Sequence, residues 1–497
     1  MPEVPPLVLD RAAAEPLAVQ LVAGLRDAAA SGAPAPGDRL PSTRELARVL
    51  GVSRTVAAAA YDQLLAEGWV EGRRGVGTFV VDVPAPVGRA RRPAAVPPAP
   101  SSPPPGPSGT DLRAGAPCTE VLDRAAWRRA WRAAGDEPPD GEPDPRGTTA
   151  FRAAVATHLL RHRGLPASAD DVLAATGTSA AVAEVAALLP PGARVAVEDP
   201  GYRRSVGALR AAGCVPVPVR VDAGGLVVDE VPPDVAAVVC TPAHQFPLGG
   251  RMPAARRTRL VERARAEGFL VLEDDYDGEL RYDVAPLPLL AALAPDVVVH
   301  LGTTSKTVSP TLGAGWVVAP PAVREALVAR RTATGTRPPR AGQRVLAAMA
   351  ASGDLSRHLR RLRRELAARR ELVLATVRAA GHVPVGDAAG AHVVVRLPTA
   401  EDERRLLGRA GRAGLVLAGL AGCAVDAARP PAAGLVVGWA APSSAELPRA
   451  LAALGRLLAG QPAADPSGPG EGAALAARAA TSARTAASSS RATAASS

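Results

Sequence analysis

Between residues 8 and 83 the apolar positions recur first at helical and then at strand spacing. "STRELARVL" and "RTVAAAAYDQLLAEG" repeat them every third or fourth residue, and "WVEGRRGVGTFVV" offers two short strands around a Gly/Arg tip. Residues 84–108 lose this pattern and are rich in Pro, Ala and Ser. Proline fixes φ and removes a donor, so a semi-rigid solvated linker is predicted there. From 109 to 460, short apolar runs ("ARVAVED", "VAAVVCTP", "GFLVLEDD", "DVVVHLGT", "AGWVVAP") alternate with Ala/Leu-rich helical stretches. That alternation predicts an α/β unit with a mostly parallel central sheet covered on both faces. Residues 461–497 are Ala, Ser, Gly and Pro with scattered Arg and hold too little apolar area to offset ordering, so a disordered tail is expected.

Composition changes this picture in two places. The 497 residues include no Ile, no Asn and a single Lys, so Val and Leu must pack the core and Arg must carry the positive charge. The formal net charge is +10, yet residues 1–83 hold eight Arg against ten Asp plus Glu. A DNA contact in that segment therefore has to be argued from where its arginines stand, not from bulk charge. The four cysteines (118, 214, 240, 423) are widely spaced and form no C-x-x-C, which reads as reduced thiols with no disulfide frame and no metal site. No apolar h-region opens the chain and no run of 18 apolar residues appears, so neither secretion nor a membrane span is expected and the location read from this is cytoplasmic.

Ser42 with Glu45 three residues later makes a capping box at the start of one helix, and Gly51 ends it. Ser53 caps the next helix, whose first turn presents Ser53, Arg54 and Thr55. Two short helices around a glycine turn are a helix-turn-helix, and hydroxyls, a guanidinium and helix-end N–H groups suit base edges and phosphates in a major groove. Arg73, Arg74, Gly75 and Gly77 sit at the tip of the following hairpin, where a wing reaches phosphates or a minor groove. A small helical domain with solvated arginines is the plainer alternative.

Lys306 is the chain's only lysine, in a sequence that elsewhere uses arginine. A surface or ion-pairing lysine is easily replaced by Arg. A nucleophilic one is not, because a guanidinium never gives up its proton in a protein. It follows an apolar strand in "VVVHLGTTSKTVSP", with Ser305 beside it. About thirty residues earlier "FLVLEDDYDGELRY" ends a strand with Asp274, Asp275 and Tyr276. A strand-end carboxylate could keep the pyridine nitrogen of pyridoxal phosphate protonated, and a tyrosine hydroxyl could bond its 3-oxygen. Alone, such an acidic run is more often a metal site or a helix cap. "VAVEDPGYRRS" adds Tyr202 as a ring-stacking candidate and Arg204 as a carboxylate ligand. "VVCTPAHQFPLGG" adds His244, which by itself is more readily structural. "LAATGTSAAVAEVAALL" sets Thr178 and Ser179 at a helix N-terminus fit for phosphate.

"PGDRLPSTRELARVLGVSRTVAAAAYDQLLAEGWVEGRRGVGTFV" resembles the winged helix of the GntR family. "EDPGY", "TPAHQFPLG", "EDDYD" and "GTTSKTVSP", in that order, resemble the MocR subfamily, in which a fold-type I aminotransferase domain follows the winged helix. The resemblance implies a PLP-dependent transferase fold with a smaller C-terminal α+β subdomain. It implies Lys306 as the lysine bonded to pyridoxal 5'-phosphate, Asp274 on the pyridine nitrogen, Tyr276 on the 3-oxygen, Tyr202 against the ring and Arg204 at a ligand carboxylate. For the winged helix it implies contacts from Arg44, Arg54 and Gly75, then Ser53, Thr55 and Arg74, and for the assembly a domain-swapped homodimer. Two positions depart from the subfamily pattern: Gly313 stands where relatives carry a phosphate-binding Arg, and Glu142 where they carry a Tyr. Each lost charged hydrogen bond is worth ~1.5–3 kcal/mol, a roughly tenfold to hundredfold weaker cofactor site.

The function read from all this is a regulator that binds a double-stranded DNA operator and senses the cofactor or an amino compound. A working aminotransferase with an appended DNA module is the alternative, and a DNA-binding protein whose second domain is only a scaffold is a third. Arg429, beside "GLVVGWA", is a candidate second carboxylate anchor. Arg54→Ala is expected to weaken operator binding by ~1–3 kcal/mol and relax base preference. A gel-shift titration against operator and base-substituted duplexes checks this, and unchanged affinity removes Arg54 from the reader.

Overall fold

A computed structural model describes residues 7–82, 109–138, 141–283, 287–426, 430 and 432–460. The linker and tail predicted at 84–108 and 461–497, and Arg429, lie outside the described residues. The described residues fall into two compact units, one within Met1–Pro104 and one within Pro105–Ser497.

The first unit is three helices and a hairpin: α1 (Leu17–Ala30), α2 (Thr43–Leu50), α3 (Arg54–Ala66), β1 (Val70–Arg73) and β2 (Gly77–Val80). The helices meet on Leu21, Leu25, Leu46, Ala57, Tyr61 and Leu64, all buried. Ser42 Oγ accepts from Glu45 N at 3.2 Å, and Ser53 Oγ from Val56 N at 3.2 Å, so both serines cap as their positions predict. The Glu45 carboxylate turns to Arg48 Nη2 at 2.7 Å, so the capping box is made by its serine half. Gly51 closes α2 in the left-handed region at φ +63°, which only glycine enters cheaply. The hairpin pairs Val70 with Val80 and Arg73 with Gly77.

The second unit begins with β3 (Thr110–Asp111), α4 (Arg124–Asp136) and α5 (Thr149–Arg163). An eight-stranded sheet follows from β4 (Val172–Ala175), β5 (Arg194–Asp199), β6 (Val215–Asp222), β7 (Gly225–Leu226), β8 (Ala237–Cys240), β9 (Leu270–Asp275), β10 (Val298–Thr303) and β11 (Gly315–Val318). Its order is β4-β11-β10-β9-β8-β5-β6-β7. β5, β6, β8, β9 and β10 run parallel, whereas β11 is antiparallel to both its neighbours. Among the connections are α6 (Thr178–Ala186) and α7 (Arg203–Ala211). Separate apolar clusters pack the two faces, one around Phe151, Val271 and Val298 and the other around Val182, Leu272 and Val299. Residues adjacent in β9 and β10 thus face opposite layers, which is why these strands read as unbroken apolar runs.

A smaller antiparallel sheet, β12 (Pro384–Val385), β13 (His392–Arg396), β15 (Ala418–Gly419) and β16 (Gly434–Gly438), follows a 26-residue helix, Asp354–Ala379. β14 (Leu415–Val416) instead pairs with β3. The mostly parallel sheet is the one expected from the chain's pattern, and the smaller α+β part is the one implied by the family resemblance. The four cysteines are buried and unpaired. Among the described residues no helix is long and apolar enough to cross a membrane.

One ion pair ties the outer helix layer to the sheet. Arg163 reaches from the last turn of α5 to Asp275 with Nε–Oδ2 2.9 Å and Nη2–Oδ1 2.6 Å, and both side chains are buried. Removing one partner leaves the other charge stranded in a dry site. Arg163→Leu is therefore expected to lower stability by ~3–5 kcal/mol, with Arg163→Met/Asp275→Leu recovering most of it. Chemical denaturation of the three chains checks this, and a double variant no better than the single one overturns it.

Candidate functional site

The carboxyl ends of β4, β5, β8, β9 and β10 share one edge of the sheet, the edge at which open α/β folds bind ligands. The residues singled out in the second unit lie on the segments leaving that edge. Thr178 and Ser179 open α6 after β4, Tyr202 and Arg204 follow β5, and His244 follows β8. Asp274 is the penultimate residue of β9 and Tyr276 follows that strand, and Ser305 and Lys306 follow β10.

Strand alternation separates the three acids of β9. Glu273 accepts from the backbone N–H groups of Leu290 and Ala291 at 2.8 and 3.1 Å, and Asp275 holds Arg163 on that same face. Asp274 points the other way, toward α6, where the Thr178 side chain is the one polar group that favours its ionised form. Its Oδ1 is buried and has no hydrogen-bond partner. Burial, foremost, pushes its pKa up to about 7 against the pull of Thr178, with Asp275, Glu198 and Asp277 adding repulsion.

Lys306 Nζ donates to Gly115 O at 2.6 Å. Its pKa lies below the ordinary lysine value, chiefly through burial and then through the charge of Arg204, with Asp277 and Asp274 pulling the other way. Ser305 is held by Thr303, whose Oγ1 lies 2.9 Å from Ser305 Oγ and accepts from Ser305 N at 3.1 Å. The start of α6 has no side-chain cap, and Gly177 precedes it at φ +148°. The backbone there runs so close to β11 that a Cβ on Gly315 would lie 2.9 Å from Gly177 Cα.

His244 Nδ1 lies 2.9 Å from Asp277 Oδ2 and 3.0 Å from the Tyr276 hydroxyl, while its buried Nε2 has no partner. The ring also lies 5.1 Å, centroid to centroid, from His392 of β13. His392 holds Pro247 O at 3.0 Å and is kept neutral by burial and by His244, with its pKa at about 3. Tyr202 caps α7 and meets Phe246 edge-on at 5.7 Å. Gln245, buried, bonds Glu198, Pro200 O and Phe246 O, and so pins the "HQFP" turn.

Asp277, Gly115, Phe246 and His392 were not singled out from the chain. Asp277 had a signal, since "EDDYD" ends in it. Phe246 had one too, inside "TPAHQFPLG", whereas Gly115 and His392 arrive through long-range packing with none. Gly313 caps a short 3-10 turn at φ +55° with open space around it, and Glu142 is an exposed partner of Arg337 at 2.9 Å. In the first unit Arg44, Ser53, Arg54, Thr55, Arg74 and Gly75 are all exposed. Gly75 turns the hairpin tip at φ +75°.

The fold and this edge define an aminotransferase-like domain of fold type I preceded by a winged helix-turn-helix. Residues 108–454 match the family model "Aminotransferase class I and II", and residues 17–80 match "Bacterial regulatory proteins, gntR family". The chain is 37% identical to the pyridoxine biosynthesis transcriptional regulator PdxR of Corynebacterium glutamicum, over 75% of this chain and 81% of that one. It is 33% identical to the probable rhizopine catabolism regulatory protein MocR of Rhizobium meliloti, over 75% and 79%. The solved α-aminoadipate aminotransferase LysN of Thermus thermophilus, complexed with N-(5'-phosphopyridoxyl)-L-leucine, superposes with a TM-score of 0.64 at 25% identity, covering 71% of this chain and 92% of that one. The chain belongs to the MocR subfamily of GntR regulators: it is a helix-turn-helix transcriptional regulator with an aminotransferase-like domain.

The elevated carboxyls set a pH dependence. Folded, Asp274 and Glu198 keep a proton up to about pH 7, whereas the unfolded chain releases it near the ordinary carboxylate pKa of ~4. The folded state thus binds more protons in that window, and the cofactor-free protein loses stability as pH rises through it. Asp274→Asn is expected to flatten the fall between about pH 4 and about pH 7, read as unfolding free energy against pH. An unchanged slope would mean Asp274 is ionised throughout.

Proposed function

We propose that the chain binds pyridoxal 5'-phosphate at this edge through Lys306 and couples that site to operator binding by the winged helix. The observation that carries this reading is a lone lysine amine at the edge where Asp274 Oδ1 lies buried and unpartnered. A buried carboxylate oxygen without a partner asks for a donor, and a protonated ring nitrogen is one. The amine beside it is of the right type to bond an aldehyde, and the uncapped start of α6 suits a phosphate. The aminotransferase class I and II family is pyridoxal-phosphate-dependent, and this donor set fits that group.

When bound, the cofactor supplies an aldehyde and an electron-withdrawing ring. Asp274 would hold the proton on the ring nitrogen, with Thr178 steadying its second oxygen. Tyr276 would donate to the 3-oxygen and Tyr202 would cover the ring. The start of α6 with Ser179, together with Ser305, would take the phosphate. His244 braces Tyr276 from behind, and Asp277 braces His244. Burial and Arg204 favour the neutral, nucleophilic form of Lys306. Arg204, exposed at the start of α7, offers a fork for the carboxylate of an amino compound. Neither Gly313 nor Glu142 supplies a positive group, so a weaker phosphate grip than in relatives is part of the reading.

For the reader unit the proposal assigns duplex DNA to Arg44, Ser53, Arg54, Thr55, Arg74 and Gly75, and it makes the active assembly a homodimer. PdxR is named for pyridoxine biosynthesis and MocR for rhizopine catabolism. The signal proposed here is accordingly the cofactor itself or a small amino compound, acting by binding two arrangements of the protein unequally.

Borohydride treatment of the cofactor-loaded protein followed by peptide mass mapping is expected to place a phosphopyridoxyl group on Lys306. Lys306→Ala is expected to leave operator affinity insensitive to pyridoxal phosphate in a footprint of the DNA flanking its gene. An unlabelled Lys306 peptide, beside a labelled control transaminase, overturns the cofactor reading. Sustained turnover of amino acid and 2-oxo acid would shift the assignment to the aminotransferase alternative.

A further inference from the structure

Two broad, shallow hollows of the second unit, about 730 and 630 Å³, lie away from Lys306 and are lined mainly by arginine and aromatic side chains. One lies on α4 and the other on the first half of the helix Asp354–Ala379. Arg129 of α4 joins them, reaching Asp354 at 3.0 Å. Asp123, just ahead of α4, is held below the ordinary carboxylate range first by the N–H groups of Ala126 and Ala125, and it also feels Arg361 and Arg129.

The charge of this strip is not neutralised from within. The helix Asp354–Ala379 carries eight arginines and three acids. All three acids are engaged: Asp354 by Arg129 and Arg357, Glu365 by Arg369, and Glu371 by Arg370. Among the described residues Arg360 and Arg364 have no hydrogen-bonded carboxylate, nor have Arg128 and Arg132 on α4, and all four are exposed. Arg360 and Arg361 each lie about one turn before Arg364, four and three residues ahead of it on the helix. Trp131 stands among the α4 arginines and is 40% exposed.

The reader unit lacks such a surface. Its eight arginines face ten acids, and Arg26, Arg48 and Arg73 are tied to Glu67, Glu45 and Glu71. Affinity for duplex DNA comes largely from neutralised phosphates. Among the described residues, arginines without a carboxylate partner stand singly on the reader unit, as Arg44, Arg54 and Arg74 do, but gather in clusters on the second unit, and their planar donor fork matches a phosphate.

We propose that α4 and the first half of the helix Asp354–Ala379 form a sequence-independent binding surface for the phosphate backbone of duplex DNA. The proposal rests on the chain being a DNA-reading regulator and adds a second contact to that reading.

The test is the salt dependence of binding of the full chain to a random-sequence duplex. The slope of log K against log salt is about −0.9 for each phosphate contact. Arg360→Gln/Arg361→Gln/Arg364→Gln is expected to make the slope shallower by ~2–3 at an unchanged melting temperature. Arg404→Gln/Arg405→Gln/Arg412→Gln makes the same charge change on the helix Ala400–Arg412 and is expected to leave the slope as in wild type. Equal slopes for wild type and the first triple variant, or equal losses in both triples, overturn the proposal. Loss of all duplex binding in Arg54→Ala alone also overturns it, since the reader would then carry the whole contact. A wild-type chain that bound no duplex would sink the DNA-reading assignment itself.

Discussion

Three consecutive acids at the end of β9 are put to two uses by the pleat of a single strand. Glu273 and Asp275 turn to one face and are consumed there, by backbone N–H groups and by Arg163. Asp274 turns to the other and keeps an oxygen without a partner. The site depends on that division. If the strand slipped by one residue, Asp274 would change faces and every apolar neighbour in β9 would change with it. The pairing of Asp274 with Leu301 on β10 fixes the register, and the apolar layers on both faces hold it.

Around this carboxylate the molecule accumulates unfavourable charge. Glu198, Asp275 and Asp277 all raise the cost of ionising Asp274, and Glu198 is itself pushed up to about 7 by burial despite its bonds to Thr241 and Gln245. Such an arrangement keeps a proton on Asp274 up to about pH 7 and favours a cationic donor beside it, the property on which the proposed cofactor site rests. Lys306 is subject to the opposite pressure, since burial and Arg204 both disfavour its charged form. Placed at one sheet edge, the two residues have the chemistry to hold a proton at one point and release it at another.

The positive charge of the chain is distributed differently from what its DNA-reading family membership would suggest. The winged helix is slightly acidic, and its exposed arginines are few and individually placed. The second unit carries the surplus, concentrated on α4 and the helix Asp354–Ala379. Placed arginines suit the reading of bases, whereas clustered ones suit a backbone whose charge is uniform along its length.

Much of this was legible in the chain. Helical and strand periods gave the winged helix, serines at 42 and 53 marked its caps, and apolar runs ending in "EDD" or leading to the lone lysine marked strands and their carboxyl ends. These are local signals, because propensity, capping and alternation act within a few residues. The partners of those residues were not legible. Nothing near Lys306 in sequence announces the Gly115 carbonyl 191 positions earlier, nor does "HQFP" announce His392 of the smaller sheet. Which of three adjacent acids would be left unpaired also depended on what packed above and below β9. Local chemistry is written residue by residue, but which groups are desolvated together is decided by contacts between segments far apart in the chain, and only the folded tertiary structure brings those together.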